Sequence, residues 1–271
     1  MNRHFNDLLP DIVNAINYNY TQSDLLLGKS DKYLPVRSTI IDILDDLKRL
    51  MFPGYFSTDR VDVTNASYYT GQILSSLHLK LRKQIALALA YDREPGIFSS
   101  NPDIIAEAEN ICCNFFESVP HIQEMLLLDV QAGYDGDPAA DSKEQIIFSY
   151  PGFYATFVYR IAHELYKMKV PFIPRVMTEH AHGKTGIDIN SGATIGKYFF
   201  MDHGTGIVIG ETTIIGDYVK LYQGVTLGAL STRGGQHLAG VKRHPTIEDR
   251  VTIYSNATVL GGETIIGADS V

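Results

Sequence analysis

The sequence predicts an α+β protein, in which an N-terminal α-helical domain precedes a C-terminal parallel β-helix. Two observations support this prediction. Apolar residues follow the helical period through most of the first 180 residues, and from about residue 187 they recur at every sixth position instead. The predicted division is an α-helical domain over residues 1–182 and a β-helical domain over residues 183–271.

The helical domain is predicted from its amphipathic segments. We expect a loose helix over residues 11–18 and longer helices over 36–51 and 68–91. Asn101-Pro102-Asp103 predicts the start of a helix that Val119-Pro120 should break, with a new helix over 122–131. Two further helices are expected, one after Tyr150-Pro151 and one over 174–180.

A six-residue repeat predicts the β-helix. Its apolar positions are Ile189, Ile195, Met201 and Ile207, then, after a slip of two, Ile209, Ile215, Leu221 and Leu227. This period suits short strands joined by tight turns, each with one inward side chain, and such coils bury a core only by stacking. The alternative is an ordinary β-rich domain with accidental spacing.

The repeat stops after Gly228 and resumes at Ile247. Residues 229–246 therefore form a predicted protruding loop, with basic residues that stand out in an acidic chain. Because a last coil normally needs a cap, we expect the natural protein to continue beyond Val271.

Composition excludes several function classes. The 271 residues carry a net charge of −8, which argues against a nucleic-acid partner. No apolar run is long enough to predict a membrane span. The two cysteines are the neighbours Cys112 and Cys113, so no disulfide framework is expected and a reducing cytoplasm is the simplest location.

His203 is the strongest candidate for chemistry. It follows Asp202 at a predicted turn, and Asp188 precedes it by close to one predicted turn of a three-strand coil. A carboxylate on one coil could then hold the imidazole of the next as a general base. The alternative, a histidine whose ring bonds a nearby carbonyl, remains open.

Metal and thiol chemistry are less favoured. His203, His237 and His244 lack a compact ligand spacing, and Arg243 would oppose a dication, so we predict no metal. Both cysteines lie outside the repeats, on an expected buried face, which favours direct transfer over an acyl-cysteine intermediate. The carboxylates of residues 129–137 are expected on a turn, as solvated turn formers.

Several motifs resemble serine O-acetyltransferase over residues 125–271. They are Asp129-Val130-Gln131-Ala132, Asp137-Pro138-Ala139, Tyr159-Arg160-Ile161-Ala162-His163, Met201-Asp202-His203-Gly204-Thr205-Gly206, Tyr222-Gln223-Gly224-Val225-Thr226-Leu227-Gly228 and Lys242-Arg243-His244-Pro245. The resemblance implies a left-handed β-helix that transfers acetyl from acetyl-CoA to the hydroxyl of L-serine, in cysteine biosynthesis.

The resemblance also implies roles for individual residues. His203 would be the general base, oriented by Asp188. Asp137 and Asp202 would bind the serine ammonium, which replaces the turn-former interpretation of Asp137. Arg243 would bind the serine carboxylate, assisted by His244. Gly228, Ala229, Ser255 and Ala257 would line the CoA channel.

The same resemblance implies partners for the chain, and one position differs from the family pattern. The resemblance implies trimers or pairs of trimers with sites between subunits, feedback inhibition by cysteine, and docking of O-acetylserine sulfhydrylase through a tail absent from this sequence. Tyr154 stands where a histidine is frequent. The rival functions are a hexapeptide acetyltransferase acting on a sugar or drug, a metal-dependent hydratase, and an inactive assembly scaffold.

Overall fold

A computed structural model describes residues 4–28, 32–93 and 96–271. Within these ranges, helices come first and short strands follow. The helices are α1 Phe5–Gln22, α2 Arg37–Met51, α3 Pro53–Phe56, α4 Ala66–Asp92, α5 Pro102–Gly136, α6 Lys143–Ser149, α7 Pro151–Lys167 and α8 Ile173–Thr185. The strands are β1 Asp188–Ile189, β2 Thr194–Ile195, β3 Phe200–Asp202, β4 Val208–Ile209, β5 Ile214–Ile215, β6 Lys220–Tyr222, β7 Thr226–Gly228, β8 Thr246–Ile247, β9 Thr252–Ile253, β10 Thr258–Leu260 and β11 Ile265–Ile266.

The strands form three parallel sheets that the chain visits in turn. Sheet A has the order β1-β4-β7-β10, sheet B β2-β5-β8-β11 and sheet C β3-β6-β9. Asp188 pairs with Val208, so these two positions mark the start and the end of the first complete coil. The repeat anchors Ile189, Ile209 and Leu227 stack in register and are buried. The predicted α+β class, with helices preceding parallel strands, is confirmed.

The long helix α5 differs from the prediction of a break at Val119-Pro120. It runs from Pro102 to Gly136 without interruption. Val119, Ile122 and Leu126 on either side of the proline are buried in the helical core. This packing offsets the backbone hydrogen bond that proline cannot donate.

Two other helices also have boundaries that differ from the prediction. α1 covers Phe5–Gln22 rather than 11–18, and none of its side chains is buried. α8 covers Ile173–Thr185 rather than 174–180, and is followed by Gly186, whose φ of 70° is the left-handed conformation usual after a helix. Among the helices of the described ranges, none is long and apolar enough to cross a membrane.

A buried ion pair joins the helices to the first coil. Arg160 of α7 donates from Nε to Asp129 Oδ2 of α5 at 2.5 Å and from a terminal nitrogen to Oδ1 at 2.7 Å. Arg160 also donates to Gly196 O at 2.8 Å, and Asp129 accepts from Phe199 N at 3.0 Å. Asp129 therefore lies on a helix and within the core, so its assignment to a solvated turn was wrong.

Candidate active site

His203 lies at the corner where the chain passes from sheet C to sheet A. It follows β3 directly and has a φ of 58°, a left-handed conformation that an L residue adopts at a cost. Its side chain is 72% exposed, and its Nδ1 lies 3.7 Å from Asp202 Oδ1. The corner therefore projects the imidazole outward, beside a carboxylate.

The carboxylate near His203 differs from the expected one. A complete coil runs from Asp188 to Val208, so His203 comes before the coil has closed and Asp188 does not lie directly beneath it. Asp188 begins β1, which pairs with the β4 strand that follows His203, and both residues thus border the same corner. Within the described ranges, the Asp188 side chain makes no hydrogen bond or ion pair, and the carboxylate that pairs with His203 is Asp202.

Lys220 organises the carboxylates around this corner. Its ammonium lies 3.0 Å from Asp202 Oδ2 and donates to Gly136 O at 2.7 Å. Burial opposes its charge, but hydrogen bonds to Tyr222 and Asp202 outweigh burial and raise the pKa of Lys220. Asp202 is thereby held between an ammonium and the imidazole of His203.

Asp137 faces the same cleft from the end of α5. Its Oδ2 accepts from the Tyr150 hydroxyl at 2.6 Å, and its Oδ1 accepts from Ala139 N at 2.9 Å. The Tyr150 hydrogen bond is the main cause that holds the pKa of Asp137 below its usual range, while burial and Asp137 raise the pKa of Tyr150 to about 12. Asp137 is thus an ionised carboxylate with lone pairs free for a cation.

These groups enclose a cleft of about 360 Å³, lined by Asp137, Ser149, Tyr150, Pro151, Gly152, Met201, Asp202 and His203. Two carboxylates and one imidazole thus converge on a volume that fits an amino acid. The prediction grouped Asp137, Asp202 and His203, and the structure brings these three together.

Arg243 and His244 lie at a different corner, between sheets A and B. Arg243 forms an ion pair with Glu211 and donates to Leu238 O at 3.1 Å. His244 Nδ1 accepts from Thr212 N at 3.1 Å, so a neutral ring carries its proton on Nε2. Burial, and then the nearby Arg243, lower the pKa of His244.

Lys242 fixes the base of the loop that carries this pair. Its ammonium donates to Thr212 O at 2.8 Å, to Pro245 O at 3.1 Å and to His244 O. The His244 ring also packs against Gly210, where a Cβ atom would lie 2.0 Å from its Cδ2. Arg243 and His244 are therefore held rigidly, although the loop itself is exposed.

One strand of sheet A separates the two corners. Between His203 and Gly210 the chain makes a turn and then β4. At about 3.3 Å per residue, this path spans on the order of 15–20 Å. The structure therefore does not bring Arg243 and His244 of one chain into the cleft of His203.

The residues predicted to line the CoA channel lie on later coils. Gly228 ends β7 and Ala229 follows it, while Ser255 and Ala257 flank the turn before β10. Gly228 O accepts from Gly261 N at 3.1 Å, and Ala257 O accepts from Thr226 N at 2.9 Å. The outer edge of these turns is open, with Ser255 exposed and Ala257 half-buried.

Other reactive side chains lie away from the cleft. Cys112 is buried and its burial raises the pKa of its thiol to about 12, whereas Cys113 is exposed, which corrects the expectation that both would be buried. Across the described part of the chain, no three His, Cys, Asp or Glu side chains converge on a metal site.

Sequence reasoning missed Tyr150 and Lys220. Tyr150 precedes Pro151 at a helix start, and this context gave no chemical signal. Lys220 pairs in register with Phe200, one strand position before the apolar anchor Leu221. A charged residue at that repeat position was the available signal, because its register neighbour Phe200 lies two positions before Asp202 on the same strand.

Comparisons with known proteins show which proteins the chain is similar to. No family model matches the chain. A plasmid-encoded serine acetyltransferase of Synechococcus elongatus is 41% identical over 233 residues, covering 83% of this chain and 73% of that protein. Serine acetyltransferase of Bacillus subtilis is 47% identical over 129 residues, which cover 48% of this chain but only 57% of that protein.

A solved structure is similar over nearly the whole chain. Serine acetyltransferase isoform 3 of Entamoeba histolytica, crystallised in complex with cysteine, superposes with a TM-score of 0.69 and 33% identity, over 98% of this chain and 88% of that one. Identity and coverage at this level extend over both the helices and the stacked coils. The chain therefore belongs to the serine acetyltransferase family, a family of acyltransferases.

Proposed function

We propose that the chain transfers the acetyl group of acetyl-CoA directly to the hydroxyl of L-serine, with His203 as general base. The observation that supports this most is the cleft in which Asp137, Asp202 and the exposed His203 ring converge. An amino acid needs carboxylates for its ammonium and a base for its hydroxyl, and this cleft offers both.

The imidazole acts through its free ring nitrogen. Because Nδ1 lies near a carboxylate, the proton of the neutral ring is favoured on Nδ1, and Nε2 keeps its lone pair. Nε2 takes the serine proton as the hydroxyl oxygen attacks the thioester carbonyl. The C–S bond then breaks, and the proton passes to the departing CoA thiolate.

Three carboxylates orient the reactants in this proposal. Asp188 borders the same corner as His203 and would hold the ring when substrate is bound. Asp137 would bind the serine ammonium together with Asp202, and the Tyr150 hydroxyl keeps Asp137 ionised and aimed into the cleft.

The serine carboxylate requires a cation, and no lysine or arginine of the described residues lines the cleft of one chain. We propose that the coils assemble as a trimer, so that Arg243 and His244 of one subunit reach the His203 corner of the next. Arg243 would bind the carboxylate through two parallel hydrogen bonds. Pairing of two trimers through the helices would give a hexamer.

Acetyl-CoA would lie along the later coils. The absence of a side chain at Gly228 and the small Ala229, Ser255 and Ala257 leave the backbone at the coil edge accessible to the pantetheine arm. Cysteine, which is bound in the Entamoeba histolytica relative, would compete for the serine site as a feedback inhibitor.

Further features belong to the same proposal. The coil is left-handed, and the boundary between the two domains, predicted at residue 182, lies near the end of α8. The product enters cysteine biosynthesis in the cytoplasm. O-acetylserine sulfhydrylase is a further partner under this proposal.

Thiol release from acetyl-CoA tests the reaction. We expect release that depends on L-serine, that a sugar acceptor does not support, and that added cysteine suppresses. Replacement of His203 by alanine should lower kcat by about 10²–10⁴-fold. The exposed His121 provides the matched control, since His121→Ala should retain normal turnover.

Two results would contradict the proposal. Near-normal activity of the His203→Ala trimer would eliminate the base assignment. A preference for a sugar over serine would favour the rival hexapeptide acetyltransferase. Mixing inactive His203→Ala subunits with inactive Arg243→Ala subunits tests the shared site, because mixed trimers should regain activity.

A further inference from the structure

A second cavity, separate from the cleft, lies among the helices. It encloses about 270 Å³ between α2, α3, α6, α7 and α8. Its walls are largely aromatic, with Phe56 stacked on Phe148 at 6.0 Å between ring centroids and Tyr154 stacked on Phe157 at 6.3 Å. A cavity of about 150 Å³ holds benzene, so this one accommodates a ring with a short side chain.

The polar groups that line this cavity include the Tyr154 hydroxyl and two lysines, and the ammonium of Lys48 also lies 4.9 Å from the centroid of the Phe56 ring. Burial is the main cause that raises the pKa of Tyr154 to about 12, and its hydroxyl makes no hydrogen bond to any residue in the described ranges. The ammonium groups of Lys48 and Lys184 lie 5.8 and 5.7 Å from the centroid of the same ring. A hydroxyl donor and two cations therefore face an aromatic chamber.

The two lysines differ in their partners. Lys48 donates to Asp45 at 3.1 Å, which partly balances its charge. Lys184 forms no ion pair with any carboxylate in the described part of the chain. An anion placed between Lys184 and the Tyr154 hydroxyl would satisfy a donor and balance the charge of Lys184.

We propose that this cavity is a binding site for a small carboxylate that carries an aromatic ring. The ring occupies the chamber between Phe56, Phe148 and Phe157. The carboxylate accepts from the Tyr154 hydroxyl and pairs with Lys184.

The cavity and the cleft share a wall. Ser149, Tyr150 and Pro151 line both. The Tyr150 hydroxyl donates to Asp137 on the cleft side, so a ligand that displaces this wall alters the hydrogen bond of a proposed serine-binding carboxylate. This linkage, unlike the site itself, rests on the proposed function, and it makes the two ligands change each other's affinity by the same factor.

Calorimetric titration of the full chain, without acetyl-CoA or serine, tests the site. The probes are 3-phenylpropionate and its uncharged analogue 3-phenylpropan-1-ol. We expect the acid to bind about tenfold tighter than the alcohol. Lys184→Gln or Tyr154→Phe should raise the Kd of the acid by about tenfold. The alcohol should bind Lys184→Gln within about twofold of wild type.

Lys83→Gln is the matched control, because Lys83 is an exposed lysine outside this cavity and should leave the acid's Kd unchanged. Circular dichroism confirms that each variant is folded. Equal Kd values for acid and alcohol, or an undiminished affinity in folded Lys184→Gln, would overturn the site. Failure of both probes to bind the wild-type chain would also overturn the site.

A second titration at saturating serine tests the linkage. We expect the Kd of 3-phenylpropionate to change by more than about twofold, and the Kd of serine, titrated without acetyl-CoA, to change by the same factor when the acid is present. An unchanged Kd would disprove the linkage. Acid binding by a chain that fails to transfer acetyl to serine would refute the proposed function and leave the site standing.

Discussion

The buried pair of Asp129 and Arg160 provides a quantitative test of how the helices hold the first coil. Both side chains are almost completely inaccessible, at 2% and 6% exposure. Replacing Asp129 by asparagine preserves shape and can still accept from Phe199 N. It leaves the guanidinium of Arg160 buried without a counter-charge.

The expected cost follows from that burial. Removing one partner of a buried ion pair destabilises a protein by about 3–5 kcal/mol, because the remaining charge stays desolvated. For a chain of this size, each kcal/mol shifts the Tm by about 2–4 °C, so Asp129→Asn should lower it by at least about 6 °C.

An exposed pair of similar geometry provides the control. Arg93 donates from one terminal nitrogen to both oxygens of Glu107, at 2.8 and 3.0 Å, but these side chains are 49% and 41% exposed. Water solvates both charges, so Glu107→Gln should cost no more than about 1 kcal/mol.

Unfolding followed by circular dichroism, at one protein concentration, measures both variants. If Asp129→Asn lowers the midpoint no more than Glu107→Gln does, the pair is not the stabilising junction that its burial implies. The double variant Asp129→Leu/Arg160→Met should be less destabilised than Asp129→Asn, since it leaves no buried charge.

Three further predictions concern the site and its pH dependence. Gly210→Ala should raise the KM for serine by about tenfold or more, because the new Cβ displaces the His244 ring; Gly71→Ala, in open space on a helix, is the control, and equal KM values would contradict this. Lys242→Met removes three carbonyl contacts at the loop base, and should raise the KM for serine several-fold with a smaller change in kcat. A larger change in kcat than in KM would contradict a positioning role for Lys242. Burial lowers the pKa of His163 and of His244, so as the pH falls these histidines bind protons at a higher pH in the unfolded chain than in the folded chain. Stability should therefore be full above about pH 6.5 and decrease as pH falls through the lowered pKa values; His163→Gln should reduce that decrease in Tm, and an unchanged pH dependence would contradict the assignment.

The fold was predictable because its signals are local in the chain. Ile189, Ile215 and Leu221 each occupy the inward position of a short strand, and that position depends only on spacing along the sequence. The helix boundaries were less accurate where packing overrides local preference. Pro120 should end a helix, but buried neighbours on both sides keep α5 continuous.

The site was predictable only in part. Asp137, Asp202 and His203 were identified from motifs, and the fold brings them to one cleft. The orientation of His203 by Asp188 stays a prediction, because the first coil closes at Val208 rather than near His203 and spacing along the chain does not decide whether these two side chains meet.

The sequence alone determined the succession of helices and repeats, the protruding loop and the family, since each is written in residue order and spacing. Only the tertiary structure decided that Lys220 and Tyr150 set the charges around the cleft, and that Arg243 belongs to another corner. Those relations join residues 13 to 84 positions apart, and such distances are closed by packing and desolvation rather than by any local pattern.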